Sequence, residues 1–234
     1  MHPVAQALEK ITNPSKAALY SRFFKTGRGE YGEADVFLGV TVPKQRKIAK
    51  QFKNLPLHEV KNLLHSKFHE HRLVALLILI GQFNSGETEV KKTIFDLYCH
   101  NTKYINNWDL VDLSAPHIVG QYLANKDKTI LYKFARSSYL WERRIAMISC
   151  FFFIRDNFFE DAFGIAEILL HDKHDLIHKA VGWMLREIGK RNQEEEEKFL
   201  KIHYKIMPRT MLRYAIERFD KAKRQKYMVK DTSP

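Results

Sequence analysis

The sequence predicts an all-α chain built as a helical solenoid. Three observations carry that reading. Apolar residues recur at helical spacing along most of the 234 residues. Glycine and proline are scarce, ten and seven, against an average share of roughly 12%, so turns are few. Five segments also align on one period. Placing EHRLVALLILIG (70–81), NNWDLVDLSA (106–115), WERRIAMISC (141–150), IHKAVGWMLREIG (177–189) and MLRYAIERF (211–219) under one another puts a small residue in one column. That column is Ala75, Val111, Ala146, Ala180 and Ala215, at spacings of 36, 35, 34 and 35. A steady period filled by two helices per unit is a solenoid signature, and the unit length suits HEAT, armadillo or tetratricopeptide repeats. The tetratricopeptide Trp/Gly/Tyr pattern is missing.

The elements follow in chain order from stop signals between apolar stripes. Asn13-Pro14-Ser15 precedes KAALYSRFFK, which reads as a helix. Residues 27–39 are Gly-rich. The next stretch, DVFLGVTV (35–42), is the best strand candidate, but reads as an extended connector into a helix opened by Pro43. Asn54-Leu55-Pro56 opens the following helix. Leu73, Leu76, Leu77 and Ile80 stripe the one ended by Asn84-Ser85-Gly86. Pro116 is expected to open a new helix just after Asp112. Asn125-Lys126-Asp127, Arg191-Asn192 and Pro208 punctuate the rest, between stripes at Ile145, Ile148, Phe152, Phe153 and at Ala180, Trp183, Met184, Ile188. This predicts about a dozen helices of roughly 8 to 16 residues and no strand. Residues 1–234 are expected to form a single repeat domain, with N-terminal helices and the Gly-rich loop over 1–55 and tandem repeats over 56–226.

The columns expose the unusual residues. After the small residue come Leu76, Asp112, Met147, Val181 and Ile216: four apolar side chains and one carboxylate. A lone Asp in a position built for a hydrophobe is costly unless paired or hydrated; it marks a functional site or caps the helix expected at Pro116. Two positions before the small residue come Leu73, Asp109, Arg144, His178 and Arg213, whose later members would make a basic strip. Lys44, Arg46, Lys47, Lys50 and Lys53 follow Pro43, and a second basic cluster runs from Lys205 to Lys226. The net charge is +12 with a pI near 9.6, which suits a polyanion partner.

Other chemistries are weakly represented. The longest apolar run, Leu73 to Ile80, falls far short of the roughly 18 residues of a spanning helix. The opening MHPVAQALEK is unlike a secretory signal. Cys99 and Cys150 make neither a disulfide framework nor a zinc pattern. The expectation is a soluble, reduced, cytoplasmic protein. Gly27-Arg28-Gly29-Glu30-Tyr31-Gly32 matches G-x-G-x-x-G formally but lacks a βαβ context, so the stretch either lets backbone approach a phosphate or packs as a loop. His171, His174 and His178 would share a face if one helix ran through them. His65, His69 and His71 are also close, yet neither set has metal-ligand spacing, so surface or capping histidines are expected.

Asn107-Trp108-Asp109-Leu110-Val111-Asp112, Trp141-Glu142-Arg143-Arg144-Ile145-Ala146 and Lys179-Ala180-Val181-Gly182-Trp183-Met184-Leu185-Arg186-Glu187 together resemble the AlkD family of DNA alkylation repair glycosylases. The resemblance runs from MHPVAQAL through Phe37-Leu38-Gly39-Val40 and Pro43 to Leu212-Arg213-Tyr214-Ala215-Ile216. It implies a right-handed solenoid of HEAT-like repeats wrapping duplex DNA in a concave basic groove. It implies hydrolytic release of positively charged N3- and N7-alkylated purines, by a monomer needing no metal, no organic cofactor, no membrane and no obligatory protein partner. By motif, Asp112 matches the catalytic carboxylate, Trp108 and Trp183 the aromatic contacts to the lesion nucleotide, and Arg144 the backbone-holding arginine. Lys179, Arg186, Arg213, Lys44, Arg46 and Lys47 are the further expected DNA contacts. Where active members carry a tyrosine in the early helix, this chain has Phe23, with Tyr20 and Tyr31 as nearby hydroxyls. The alternative is a non-catalytic relative binding distorted or branched DNA; a protein-binding scaffold ranks third.

The chemistry suits the residues. Cleaving the N-glycosidic bond develops oxocarbenium charge on the sugar. A carboxylate about 4 Å away is attracted to that charge by roughly 4 kcal/mol at an effective dielectric of 20. Each Trp face attracts a cation by about 0.5–2 kcal/mol. A shallow groove is expected to offer no deep pocket for a flipped base.

Overall fold

Helices begin where the sequence supplies caps and prolines. In the computed structural model, which describes residues 2–228, α1 (Pro3–Glu9) is followed by α2 (Pro14–Phe23). Asn13 Oδ1 caps α2 by accepting the Lys16 N–H at 2.9 Å. Pro43 lies in the first turn of α3 (Val42–Gln51), Pro56 precedes α4 (Leu57–Leu64), and Gly86 ends α5 (His69–Ser85). Then come α6 (Thr88–His100), a 3-10 turn at Thr102–Tyr104, and α7 (Trp108–Ala115).

Pro116 does not open a new helix. The chain runs on from α7 as a π-helical stretch, Pro116–Gly120, into α8 (Gln121–Leu123). Proline has no N–H for the carbonyl four residues back, here that of Asp112, and its ring collides with that carbonyl. Widening the helix accommodates both demands, and such π turns recur at functional sites.

The chain divides into two compact units between Tyr122 and Leu123. The second holds α9 (Thr129–Ala135), α10 (Leu140–Arg155), α11 (Glu160–Leu169), α12 (Asp175–Gly189), α13 (Gln193–His203), α14 (Arg209–Ala215), a 3-10 turn Ile216–Arg218 and α15 (Lys221–Met228). Helix lengths spread wider than expected, from the short α8 to the 17 residues of α5. Several helices hand over to 3-10 or π turns rather than running on. Among the described residues there is no strand, and no helix is long and apolar enough to cross a membrane.

The five small-column residues sit one each on α5, α7, α10, α12 and α14, and all are 0% exposed. Smallness there permits close helix approach: α5 packs on α7 in the first unit, and α10 on α12 and α12 on α14 in the second. Helices α4, α6, α9, α11 and α13 each precede one of these, giving five helix pairs.

Residues 35–41 are the extended connector, one residue shorter than expected because α3 begins at Val42. One parallel bridge joins Val36 to Phe68. The buried Glu70 carboxylate then accepts the N–H groups of Leu38, Gly39 and Val40 at 2.9, 2.8 and 3.1 Å. A side chain thereby does what a neighbouring strand would otherwise do. Gly39 has φ +78, and a Cβ there would collide with the Asn13 carbonyl, so only glycine fits.

Candidate functional site

Trp108 and Asp112 lie four residues apart on α7, and so on one face. Both are half-buried. Asp112 is the exception in its column, since Leu76, Met147 and Val181 are 0% exposed and Ile216 is 1%. Asn107 caps the helix, its Oδ1 accepting the Trp108 N–H at 2.9 Å.

Beneath that first turn lies a charge network that sequence reasoning missed. His69, expected at the surface or as a cap, is 2% exposed. Its Nδ1 is 3.1 Å from Asp35 and its Nε2 is 2.8 Å from Asp109. Facing a carboxylate at each nitrogen, the ring donates from both and is an imidazolium. Burial opposes that charge, but the Asp109 carboxylate and the two hydrogen bonds win, and His69 is raised to about 9. Asp35 also accepts from Arg72 at 2.6 Å, Asn106 at 3.2 Å and Asn107 at 3.4 Å. Burial pushes its carboxyl up; the His69 hydrogen bond and the Arg72 charge outweigh this and hold it below its ordinary value. His71 is buried too. Burial, with His2 and Arg72 nearby, lowers it to about 4 and keeps it neutral.

An aromatic cluster covers this network. Phe24 stacks on Trp108 at 5.2 Å and on Phe37 at 5.1 Å between ring centres. Phe37 stacks on the His69 ring at 4.5 Å. Phe23, which stands where the resemblance has tyrosine, is 61% exposed and presents an edge to Trp108 at 5.9 Å. Tyr20 packs edge-on against Phe24 and Phe37, and Tyr31 is half-buried. The cluster walls an open concavity of about 350 Å³ that also reaches Gln45 and Asp109.

The Gly-rich loop spends its donors on its own carboxylates. Gly27 N–H donates to Glu30 and Gly29 N–H to Glu33, each at 2.9 Å. It packs as a loop, and those two amides are engaged rather than presented to a phosphate. On α3, Lys44, Arg46 and Lys47 are exposed. Arg46 and Lys47, with Lys50 and Lys53, line a cleft of about 950 Å³ whose apolar floor includes Leu77 and Ile80.

In the second unit, Lys179, Trp183 and Arg186 follow one another on one face of α12. Trp183 is half-buried, donates to Glu187 at 3.0 Å and lies 6.2 Å from the Phe151 ring. Lys179 pairs with Asp175 at 2.6 Å, and Arg186 pairs with Glu217. Of the proposed basic strip, Arg144 is 5% exposed and donates to the Leu176 carbonyl, and His178 bonds the Asp172 carbonyl at 2.5 Å. Arg213 is exposed. His171, His174 and His178 do not share a helix: α12 begins at Asp175, and His174 is its N-cap. Among the described residues, no group of three or more His, Cys, Asp or Glu could hold a metal ion.

The sequence pattern of the family described as DNA alkylation repair enzyme matches residues 4–219. The fold is similar to that of a predicted DNA alkylation repair enzyme from Enterococcus faecalis, with a TM-score of 0.72 at 19% identity, covering 90% of this chain and 97% of that one. No curated protein matches the chain.

Proposed function

The chain belongs to the DNA alkylation repair enzyme family, and from that premise we propose that it is a monofunctional DNA glycosylase releasing cationic N3- and N7-alkylated purines from duplex DNA. The observation that carries this reading is Asp112: a half-buried carboxylate one turn from a half-buried Trp, in a column otherwise of fully buried apolar side chains. An acid there breaks the pattern of its column, and a sugar acquiring positive charge would be stabilised by it.

In the proposed reaction, water attacks C1′ of the damaged nucleotide and the bond from C1′ to the purine nitrogen breaks. The bonding pair goes to the purine and cancels its positive charge. Asp112 stabilises the oxocarbenium-like sugar, orients the water and takes its proton. Trp108 supplies an aromatic face to the cationic base, and Trp183 keeps the role the resemblance gives it, as an aromatic contact to the lesion nucleotide. Arg144, Lys179, Arg186, Arg213, Lys44, Arg46 and Lys47 remain proposed DNA contacts. The first three would act through, or by exchanging, their present protein partners. The exposed Lys44, Arg46, Lys47 and Arg213 are the most direct phosphate ligands.

The test is base release from duplex DNA carrying N7-methylguanine, comparing wild type with Asp112→Asn at low and moderate salt. The expected result is release by wild type and a loss of at least about a hundredfold in the variant. Salt-sensitive binding with no release by wild type would move the chain to the non-catalytic alternative, which Phe23 in place of tyrosine favours, and would make Phe23→Tyr the next variant.

A further inference from the structure

Trp108 is fastened from both sides along the chain. Asn107 Nδ2 donates to Asp35 at 3.4 Å, and Asp109 Oδ2 lies 2.8 Å from His69 Nε2. Asp35 is itself 3.1 Å from His69 Nδ1, so the residues before and after Trp108 meet one buried pair. The second Asp109 oxygen accepts the Leu110 N–H at 2.9 Å, within α7. The Trp108 ring traces to the same pair. It stacks on Phe24, whose ring centre is 5.2 Å from that of His69, and Phe37 stacks on Phe24 and on His69. Asp112 follows one turn later on the same face of α7.

The arrangement closes only around a charged ring. Asp35 faces His69 from the connector, Arg72 from its own helix and Asp109 from α7, while Phe24 meets it from the end of α2. Glu70, next along α5, is taken up by the connector's amides. Two carboxylates are thus set against one guanidinium and one imidazolium. A neutral imidazole has a single N–H and would turn a lone pair toward one of the carboxylates. Asp35 would keep Arg72. Asp109, 18% exposed against 3% for Asp35, would turn to water and release the first turn of α7. We propose that His69 is a positioning residue: as the imidazolium between Asp35 and Asp109, it fixes the first turn of α7 and the Trp108 ring, and through that turn sets Asp112. Its service to a reaction rests on the glycosylase reading above; its hold on Trp108 does not.

The experiment has two arms. In the first, Trp141→Phe and Trp183→Phe leave Trp108 as the sole tryptophan, and acrylamide quenching of the full chain is followed across pH, with circular dichroism reporting the helices. The quenching constant should rise about twofold as pH passes about 9 and His69 loses its proton, with helix content unchanged. Adding His69→Gln, which bears no charge, should give the high value at every pH. In the second arm, single-turnover base release from duplex carrying N7-methylguanine is measured near neutral pH in the chain with all three tryptophans. His69→Gln should slow release at saturating enzyme by at least about tenfold while leaving duplex affinity within about twofold, because the reacting groups are misplaced and the phosphate contacts are not. Asp109→Asn is the milder variant should His69→Gln not fold: it keeps an acceptor for Nε2 without the charge, so release should slow about threefold and the quenching rise should move to lower pH. Quenching of Trp108 that ignores pH, release by His69→Gln at the wild-type rate, or equal losses of rate and affinity would overturn the proposal. If wild type releases no base while Trp108 quenching follows pH as described, the glycosylase reading falls and the hold of His69 on Trp108 stands.

Discussion

His69 in the first unit and Glu196 in the second are both buried against a helix that carries a candidate site, and they resolve burial in opposite ways. In the first unit His69 is buried and charged, because carboxylates meet both of its nitrogens. In the second, Glu196 on α13 is 2% exposed and packs beside Gly189 of α12. Its Oε1 has no partner, and the nearby Arg186 is given to Glu217 instead. Burial, with the neighbouring Glu197, pushes Glu196 up to about 8, so it is a neutral acid at pH 7. Burial alone drives a group to its neutral form, and only a partner of opposite charge reverses that.

The largest effect should come from breaking the paired side. Asp35→Ala leaves His69 and Arg72 buried without their shared carboxylate, and should cost about 3–5 kcal/mol in urea unfolding. A cost under about 1 kcal/mol would mean that Asp35 contributes little to the network.

The next pair of variants separates the two sides by pH. Glu196 has a folded value raised above 4.5, so its contribution is fully present below 4.5 and is lost as pH rises through about 8. His69 has a folded value raised above 6.5, so its contribution is fully present below 6.5 and is lost as pH rises through about 9. Glu196→Gln should therefore flatten the stability profile between pH 4.5 and 8 and gain up to about 5 kcal/mol over wild type at pH 9. His69→Gln should lower stability at pH 6 and flatten the profile from 6.5 to 9. Thermal unfolding across pH reads both, and overlapping profiles for the two variants would erase the contrast.

The smallest effect concerns a helix start that no network reinforces. Asn192 caps α13 by accepting the N–H groups of Glu194 and Glu195 at 3.1 and 3.3 Å. Asn192→Ala should cost about 1 kcal/mol. Asn107→Ala should cost more, since Asn107 both caps α7 and donates to Asp35. Equal losses would show that the Asp35 contact adds nothing.

Part of the candidate site was legible in the repeat and the motifs. The small column pointed to Asp112 as the odd member, and Trp108, Lys179, Trp183 and Arg186 lie on α7 and α12 as their motifs suggested. Asp109 sat in the same alignment, but as a lone acid its partner could not be named. Asp35 was read only as part of a connector, and Phe24 went unremarked beside Phe23. The misreading of Pro116 came from weighing proline as a helix opener, when the helix had a wider conformation available.

What the sequence determined by itself is the local order. All seven stop signals fall at helix ends or in the links between helices, and every small-column residue is fully buried. Caps, prolines and apolar stripes act within about four residues of one another, so a linear reading reaches them. The tertiary structure alone decided which charges meet. His69 finds Asp35 at a separation of 34 residues and Asp109 at 40. A buried charge takes whatever partner the packed segments bring to it, and no local pattern encodes that approach.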